Sequence, residues 1–353
     1  MKLVVFGLTI SSSWGNGHAT LWRGLCTALH RQGHRVVFFE RDAPYYAANR
    51  DLFELSGGKL VLYEDWERIR PTAQAELADA DAAMVTSYCP DAIDAADLML
   101  SKGRAISVFY DLDTPVTLSR LRKGERIPYI GPRGLADFDL VLSYTGGAAL
   151  DILQRELAAK RVAPLYGHVD PQVHRPATPQ PHYLSHLSYL GTYSADRQDT
   201  LAALLIEPAH RYPDRRFLIG GAQYPQDFPW ADNVYFVRHL PPAEHPAFFS
   251  SSRLTLNVTR RPMAELGWCP SGRLFEAAAC GTAMVSDTWA GLDSFFTPGV
   301  EIFAAVQTDD ALAALDADDA EVTRVAKAAR ERTLTEHTSE RRAQELVAAL
   351  ELA

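Results

Sequence analysis

The residues best suited to chemistry crowd into one stretch, 257–287 (NVTRRPMAELGWCPSGRLFEAAACGTAMVSD). Arg260 and Arg261 follow a short apolar run, and Pro270, Ser271 and Gly272 introduce a helix beginning near Arg273. The first amides of a helix lack intrahelical partners and sit at the positive end of its dipole. The amides of Ser271, Gly272, Arg273 and Leu274, reinforced by the Arg273 guanidinium, therefore suit a diphosphate. Glu276 lies one turn further in, where a carboxylate can accept both hydroxyls of a ribose. The same acid can instead support its own helix terminus, worth about 0.3–1 kcal/mol, and Arg273 can instead form a surface ion pair.

A second group sits near the amino terminus, in the loop Trp14-Gly15-Asn16-Gly17-His18. Gly15 and Gly17 let a ligand approach the backbone, and the helix that follows offers free amides. The spacing departs from the dinucleotide fingerprint G-x-G-x-x-G, although Glu40 ends the second strand where such a site carries its ribose-binding acid. His18 either meets a ligand as a general base or orients the turn. Asp111, in YDLDTP, ends an apolar run, a place suited to acceptor binding or proton transfer. Its alternation with Asp113 also suits a divalent ion, or simply a turn into a helix opened by Thr114 and Pro115. The expectation is a role without metal. SYTGG (143–147) either lines the same region or makes a turn.

Such groups need strand ends and helix starts to hold them. Residues 2–10 read as a buried strand, 20–32 as a helix with Leu21, Leu25, Ala28 and Leu29 on one face, Gly33 as its stop, and 35–40 as a second strand. That is a βαβ unit of a parallel sheet. Further short apolar runs at 60–63, 83–87, 105–110, 139–143 and 162–165 fit strands covered on both faces. The run DPQVHRPATPQPH (170–182) has no periodicity, and its prolines bar a helix. A second series follows, with strands at 187–191, 216–220, 234–237, 254–258, 283–286 and 301–304. Helices are expected at 197–212, 243–250 and 273–280, and a mostly helical tail at 309–352 is broken near 335–339. The expected organisation is a first domain at 1–170, a linker at 171–186, a second domain at 187–335 and a terminal helix at 336–353 that packs back on the first domain.

Bulk properties narrow the function. At 353 residues the chain exceeds one ordinary core. A net charge of −9 opposes general nucleic-acid binding. Its four cysteines form no C-x-x-C pair, which points to a reduced, cytoplasmic protein without a disulfide framework or structural zinc. No apolar run approaches the ~18 residues of a membrane span.

The motif LFEAAACGTAMVSD resembles the donor loop of retaining glycosyltransferases of the GT-B class, which carry Glu, seven residues, a second Glu and then A-x-A-x-G-x-P-V-V. Glu276 takes the second Glu position; Trp268 occupies the first, with Glu265 nearby but out of register. GHVDPQVHRP (167–176) is similar to the segment closing the first domain of that class, and SYLGTYSADR to the strand opening the second. VRHLPPAEHPAFFSSSRLTLNV is similar to the segment that contacts the donor base. With D-x-D-T-P, SYTGG and HTSERRAQEL, the order of motifs is closest to the spore-maturation, CgeB-like branch.

The resemblance implies a GT-B fold: two doubly wound, Rossmann-like α/β domains facing a central cleft. It implies metal-independent hexosyl transfer from a UDP-, GDP- or dTDP-sugar to an acceptor hydroxyl of a glycan, lipid or small molecule, with no other cofactor. Arg273 and Arg261 would neutralise the departing diphosphate, Glu276 would hold the ribose, and Thr192, His239 and Leu240 would contact the nucleotide. The first domain, with Gly15, Gly17, His18 and Asp111, would hold the reactants from the other side. Two other readings fit the same layout: a sugar-nucleotide epimerase, and a non-catalytic protein that binds a nucleotide sugar or glycan.

Overall fold

A computed structural model describes residues 1–102 and 104–353. The chain forms two compact units, one of residues 1–166 and 339–353, the other of residues 167–338. The first unit is built on seven parallel strands: β1 (Lys2–Gly7), β2 (Arg35–Arg41), β3 (Lys59–Tyr63), β4 (Ala82–Thr86), β5 (Ile106–Asp111), β6 (Leu140–Ser143) and β7 (Val162–Pro164). Their order is β3-β2-β1-β4-β5-β6-β7. Chain order reverses between β1 and β4, the place where open α/β sheets bind ligands outside their carboxyl ends. The strands read as unbroken apolar runs because both faces are covered: Val4, Val5, Phe6, Val37, Phe38 and Phe39 are all sealed from solvent.

The loop leaving β1 is tied down by Glu40, at the end of β2. One carboxylate oxygen accepts from the Ile10 and Ser11 amides at 2.8 and 2.9 Å, the other from the Thr9 and Ser11 hydroxyls at 2.7 and 2.5 Å. Buried and fully engaged, Glu40 is a clasp for this loop and not a ribose acid. Glu40→Gln cannot accept from all four donors. It is expected to lower stability by roughly 1–2 kcal/mol and to speed hydrogen exchange at the Ile10 and Ser11 amides. Unchanged exchange at those two amides would refute the clasp.

The second unit carries β8 (Ser185–Leu190), β9 (Phe217–Gly221), β10 (Val234–Arg238), β11 (Ser252–Asn257), β12 (Ala283–Asp287) and β13 (Phe303–Ala305). They are again parallel, in the order β10-β9-β8-β11-β12-β13, so order reverses between β8 and β11. Its core joins Leu187, Tyr189, Phe217, Ile219, Leu254 and Val285 to the apolar faces of the flanking helices. The helical stretch expected at 197–212 is present but widens to a π turn at Ala202–Ile206, just ahead of Pro208. Proline has no N–H and its ring crowds the carbonyl four residues back, so the helix relaxes there.

All thirteen expected strands form, within about two residues at every end but one, where β1 stops three residues short. The proline-rich stretch expected as a linker belongs to the second unit. The Ala177 amide donates to the Ser250 hydroxyl at 3.0 Å and the Gln180 amide to the Ser251 hydroxyl at 2.8 Å. The terminal helix Ser339–Glu351 belongs to the first unit, packs on the helix His18–Arg31, and is pinned by Arg31 to Glu340 and by Gln32 Nε2 to the Glu340 carbonyl at 3.0 Å. Among the described residues no helix is long and apolar enough to cross a membrane.

Candidate functional site

The second unit assembles its polar groups at the carboxyl ends of β8 and β11, where strand order reverses. The helix Gly272–Ala279 starts there. Ser271 caps it in an extended conformation without a side-chain capping bond, and Ser271, Gly272 and Arg273 are only half-buried. Leu274 is fully buried and Pro270 anchors the turn from below. The Leu274 amide, expected at the diphosphate, already donates to the Ser271 carbonyl at 3.0 Å, while the Gly272 and Arg273 amides are capped by no side chain.

Arg273 reaches into a small cavity lined by Leu190, Thr255, Leu256 and Asn257 from the two central strands. Its Nε is buried and hydrogen-bonds to nothing. Burial lowers its pKa, and the neighbouring cation Arg197 pushes the same way against Tyr189, Glu276 and Tyr224. Arg197 is itself buried; one terminal nitrogen donates to the Tyr189 hydroxyl at 2.8 Å, while its Nε has no partner. Two buried guanidiniums whose Nε groups lack partners, neither ion-paired to a carboxylate, form a positive pocket that an oxyanion would complete. Arg197 is absent from the sequence-based candidates because an arginine ending SYLGTYSADR reads as a solvated helix start. Only its burial against Tyr189 gives it away.

Glu276 follows on the same helix, 5% exposed. Burial pushes its carboxyl up, but His174, His245 and Arg273 outweigh that and hold it at about 2, so it is ionised at neutral pH. His174 Nε2 lies 3.9 Å from one carboxylate oxygen and His245 Nδ1 3.6 Å from the other. Burial lowers the His174 pKa, against the pull of Glu276. Neither histidine was singled out from the sequence; each comes from a different, distant segment.

The other expected donor contacts are scattered. Arg261 is exposed and paired with Asp199 at 2.9 Å, and Arg260 is paired with Asp196 at 2.9 Å, so both arginines already have carboxylate partners. Thr192 lies half-buried just beyond β8. His239 has a left-handed φ of 50° and donates its amide to the Gly221 carbonyl at 2.7 Å; Leu240 is buried. A non-glycine residue held at positive φ stores strain of the kind found at ligand-binding turns. Trp268 has the same feature, φ 50°, with its amide on the Ala290 carbonyl at 2.7 Å and its ring against Gly291, where a Cβ would fall 2.5 Å from the indole. Trp268 is thus a packed indole, and Glu265 is exposed on the helix Arg261–Leu266.

In the first unit, Gly15 is exposed with φ 61°, a conformation that favours glycine, and Gly17 is open on all sides. His18 begins the helix His18–Arg31, takes its amide bond to Asn16 Oδ1 at 3.1 Å, and sits 6.5 Å ring to ring from Tyr144 of the SYTGG turn. Asp111 pairs with Ser143 in the sheet but has no exposed surface. Burial raises its pKa to about 6, the Asp113 charge adds to this, and its Oδ2 hydrogen-bonds to nothing. Asp111, expected to meet the acceptor, is thus sealed from solvent beneath the end of its strand.

Residues 197–348 match the model of a family described as glycosyl transferase-like. No curated protein matches the chain. Among solved structures, an alpha-glucosyltransferase in complex with UDP-glucose and DNA containing an abasic site is similar with a TM-score of 0.73 and 13% identity, over 99% of both chains. Sucrose-phosphate synthase from Thermosynechococcus elongatus is similar with a TM-score of 0.71 and 14% identity, over 100% of this chain and 99% of its own. Anabaena Alr3699/HepE in complex with UDP-glucose gives 0.69 and 14%, over the whole of both chains. The two doubly wound parallel-sheet units are those of the GT-B fold.

Proposed function

We propose that this chain is a glycosyltransferase that moves a hexosyl group from a nucleotide-diphosphate sugar to an acceptor hydroxyl. The observation that carries this is Arg273: an arginine whose buried Nε has no partner, at the open amino end of a helix, at the strand-order reversal of the second unit. The leaving diphosphate is stabilised there by Arg273, Arg197 and the amides of Gly272 and Arg273, which supply positive potential without needing a metal at the phosphates. Glu276, ionised, accepts the ribose hydroxyls, and the turn at His239 and Leu240 brackets the base. In the first unit His18 and the loop clasped by Glu40 hold the acceptor. The family match over 197–348 and the UDP-glucose complexes among similar structures support a UDP-sugar as donor. The order of motifs supports the CgeB-like branch, and four free, buried cysteines fit a reducing, cytoplasmic setting.

A panel of UDP-, GDP- and dTDP-sugars tests the reading by thermal shift and by hydrolysis without acceptor. A cognate donor at about 100 times its Kd stabilises the protein by about 2.7 kcal/mol, and is slowly hydrolysed. A flat panel would defeat the proposal. The packed Trp268 in place of an acid favours one second reading, a donor-binding protein without turnover. Tight donor binding with no product on any acceptor would establish it.

A further inference from the structure

We infer that His174 Nε2, His245 Nδ1 and the Glu276 carboxylate form a site for a divalent transition-metal ion of the Zn²⁺ class. The three donor atoms lie within 4.8 Å of one another. The nitrogen-to-oxygen separations of 3.9 and 3.6 Å exceed hydrogen-bonding distance. They are measured to different carboxylate oxygens, and both exceed the roughly 3.3 Å between ligands of a tetrahedral ion with bonds of about 2.0–2.1 Å, so the side chains must close in slightly around an ion.

Both ring nitrogens are buried and hydrogen-bond to nothing, and His174 is 3% exposed. The other nitrogen of His245 lies 3.4 Å from the Leu240 carbonyl oxygen. In the neutral tautomer that donates Nε2–H to this carbonyl, Nδ1 keeps a lone pair that a cation beside the carboxylate can take. A ligating histidine that donates its second nitrogen to a backbone carbonyl is the usual outer-shell arrangement of metal sites.

Two imidazoles and one carboxylate are donors suited to Zn²⁺ or Co²⁺ and poorly suited to Mg²⁺ or Ca²⁺, which prefer oxygen alone. Three protein ligands leave a fourth position open, and the side chain of His245, 13% exposed, gives the ion a way in. An ion held here occupies the carboxylate assigned above to the donor ribose, so it competes with the nucleotide sugar. That consequence rests on the ribose reading; the site itself does not.

The test is titration of chelator-stripped full-length protein with Co²⁺, followed in the visible d–d bands, and then displacement by Zn²⁺. Expected is one ion per chain with an intense, tetrahedral-type spectrum, weakened roughly hundred-fold in affinity by His245→Ala. His245 is the partly exposed ligand, and circular dichroism verifies that this variant is folded; His174→Gln serves as a second, volume-conserving probe. Absence of the spectrum, or the same spectrum and affinity in folded His245→Ala and His174→Gln, overturns the site. Adding UDP separates the two claims: weaker Co²⁺ binding with UDP supports competition at Glu276. Histidine-dependent binding that UDP leaves unchanged supports the metal site and removes Glu276 from the ribose role.

Discussion

Arg273→Met is expected to weaken binding of the cognate nucleotide sugar by about hundred-fold while leaving the ligand-free protein as stable as before, or more stable. The two effects share one cause. With a diphosphate present, the guanidinium makes charge-assisted hydrogen bonds worth about 1.5–3 kcal/mol each, and losing roughly 3 kcal/mol is a factor of about a hundred in Kd. Without it, a buried cation beside Arg197 has an unsatisfied Nε, and burial already lowers its pKa. Replacing such a charge with an apolar chain of similar length removes a desolvation penalty. Isothermal titration with the donor and thermal melts of the free protein check both halves. An ordinary structural arginine would behave in the opposite way: a lower melting temperature with donor affinity untouched.

Asp111→Asn is expected to change the pH dependence of stability between pH 4 and pH 7.5. The Asp111 carboxyl ionises near pH 6 in the folded protein against a reference of 3.8. A raised value means that the unfolded chain loses its proton first. The native state is therefore unpenalised below about pH 4, loses stability as pH rises from about 4 to 6, and stays lower above that. A shift of about two units corresponds to about 3 kcal/mol. Asparagine does not ionise and can still accept the Asp113 amide that now bonds Oδ1 at 3.1 Å. The difference in melting temperature between variant and parent should thus grow in favour of the variant between pH 4 and pH 7.5. Equal differences at both pH values would show that the surroundings do not raise the pKa of this carboxyl. A strand-end acid kept at such a cost, beside Ser143 and the Tyr144 turn, fits a group retained for the acceptor region and not for folding.

The elements of both sheets were legible because their signals are local. The core of RVVFFE, Val36 to Phe39, is apolar at every position, and only a strand covered on both faces has a use for that. The same holds for the start of the helix Gly272–Ala279, where Pro270, Ser271 and Gly272 mark a terminus in three consecutive residues. Arg273 and Glu276 could be chosen because their roles follow from their distance to that terminus. Pairings between distant segments left no such trace. Glu40 merely ends a strand in the sequence, and its four donors at Thr9, Ile10 and Ser11 become visible only when β2 lies beside β1. Arg261 was expected at the diphosphate, but Asp199 claims it, while the unpaired cation beside Arg273 is Arg197.

The sequence by itself therefore determined two parallel α/β series and the helix terminus that offers its amides, since alternation, apolar runs and capping residues act over a few neighbours. The tertiary structure alone decided which charges are satisfied. Whether Arg273, Arg197, Asp111 or Glu276 finds a partner depends on burial and on groups scores of residues away, brought within a few ångströms by strand order. Charge and hydrogen bonding act through space, and chain separation says nothing about that distance.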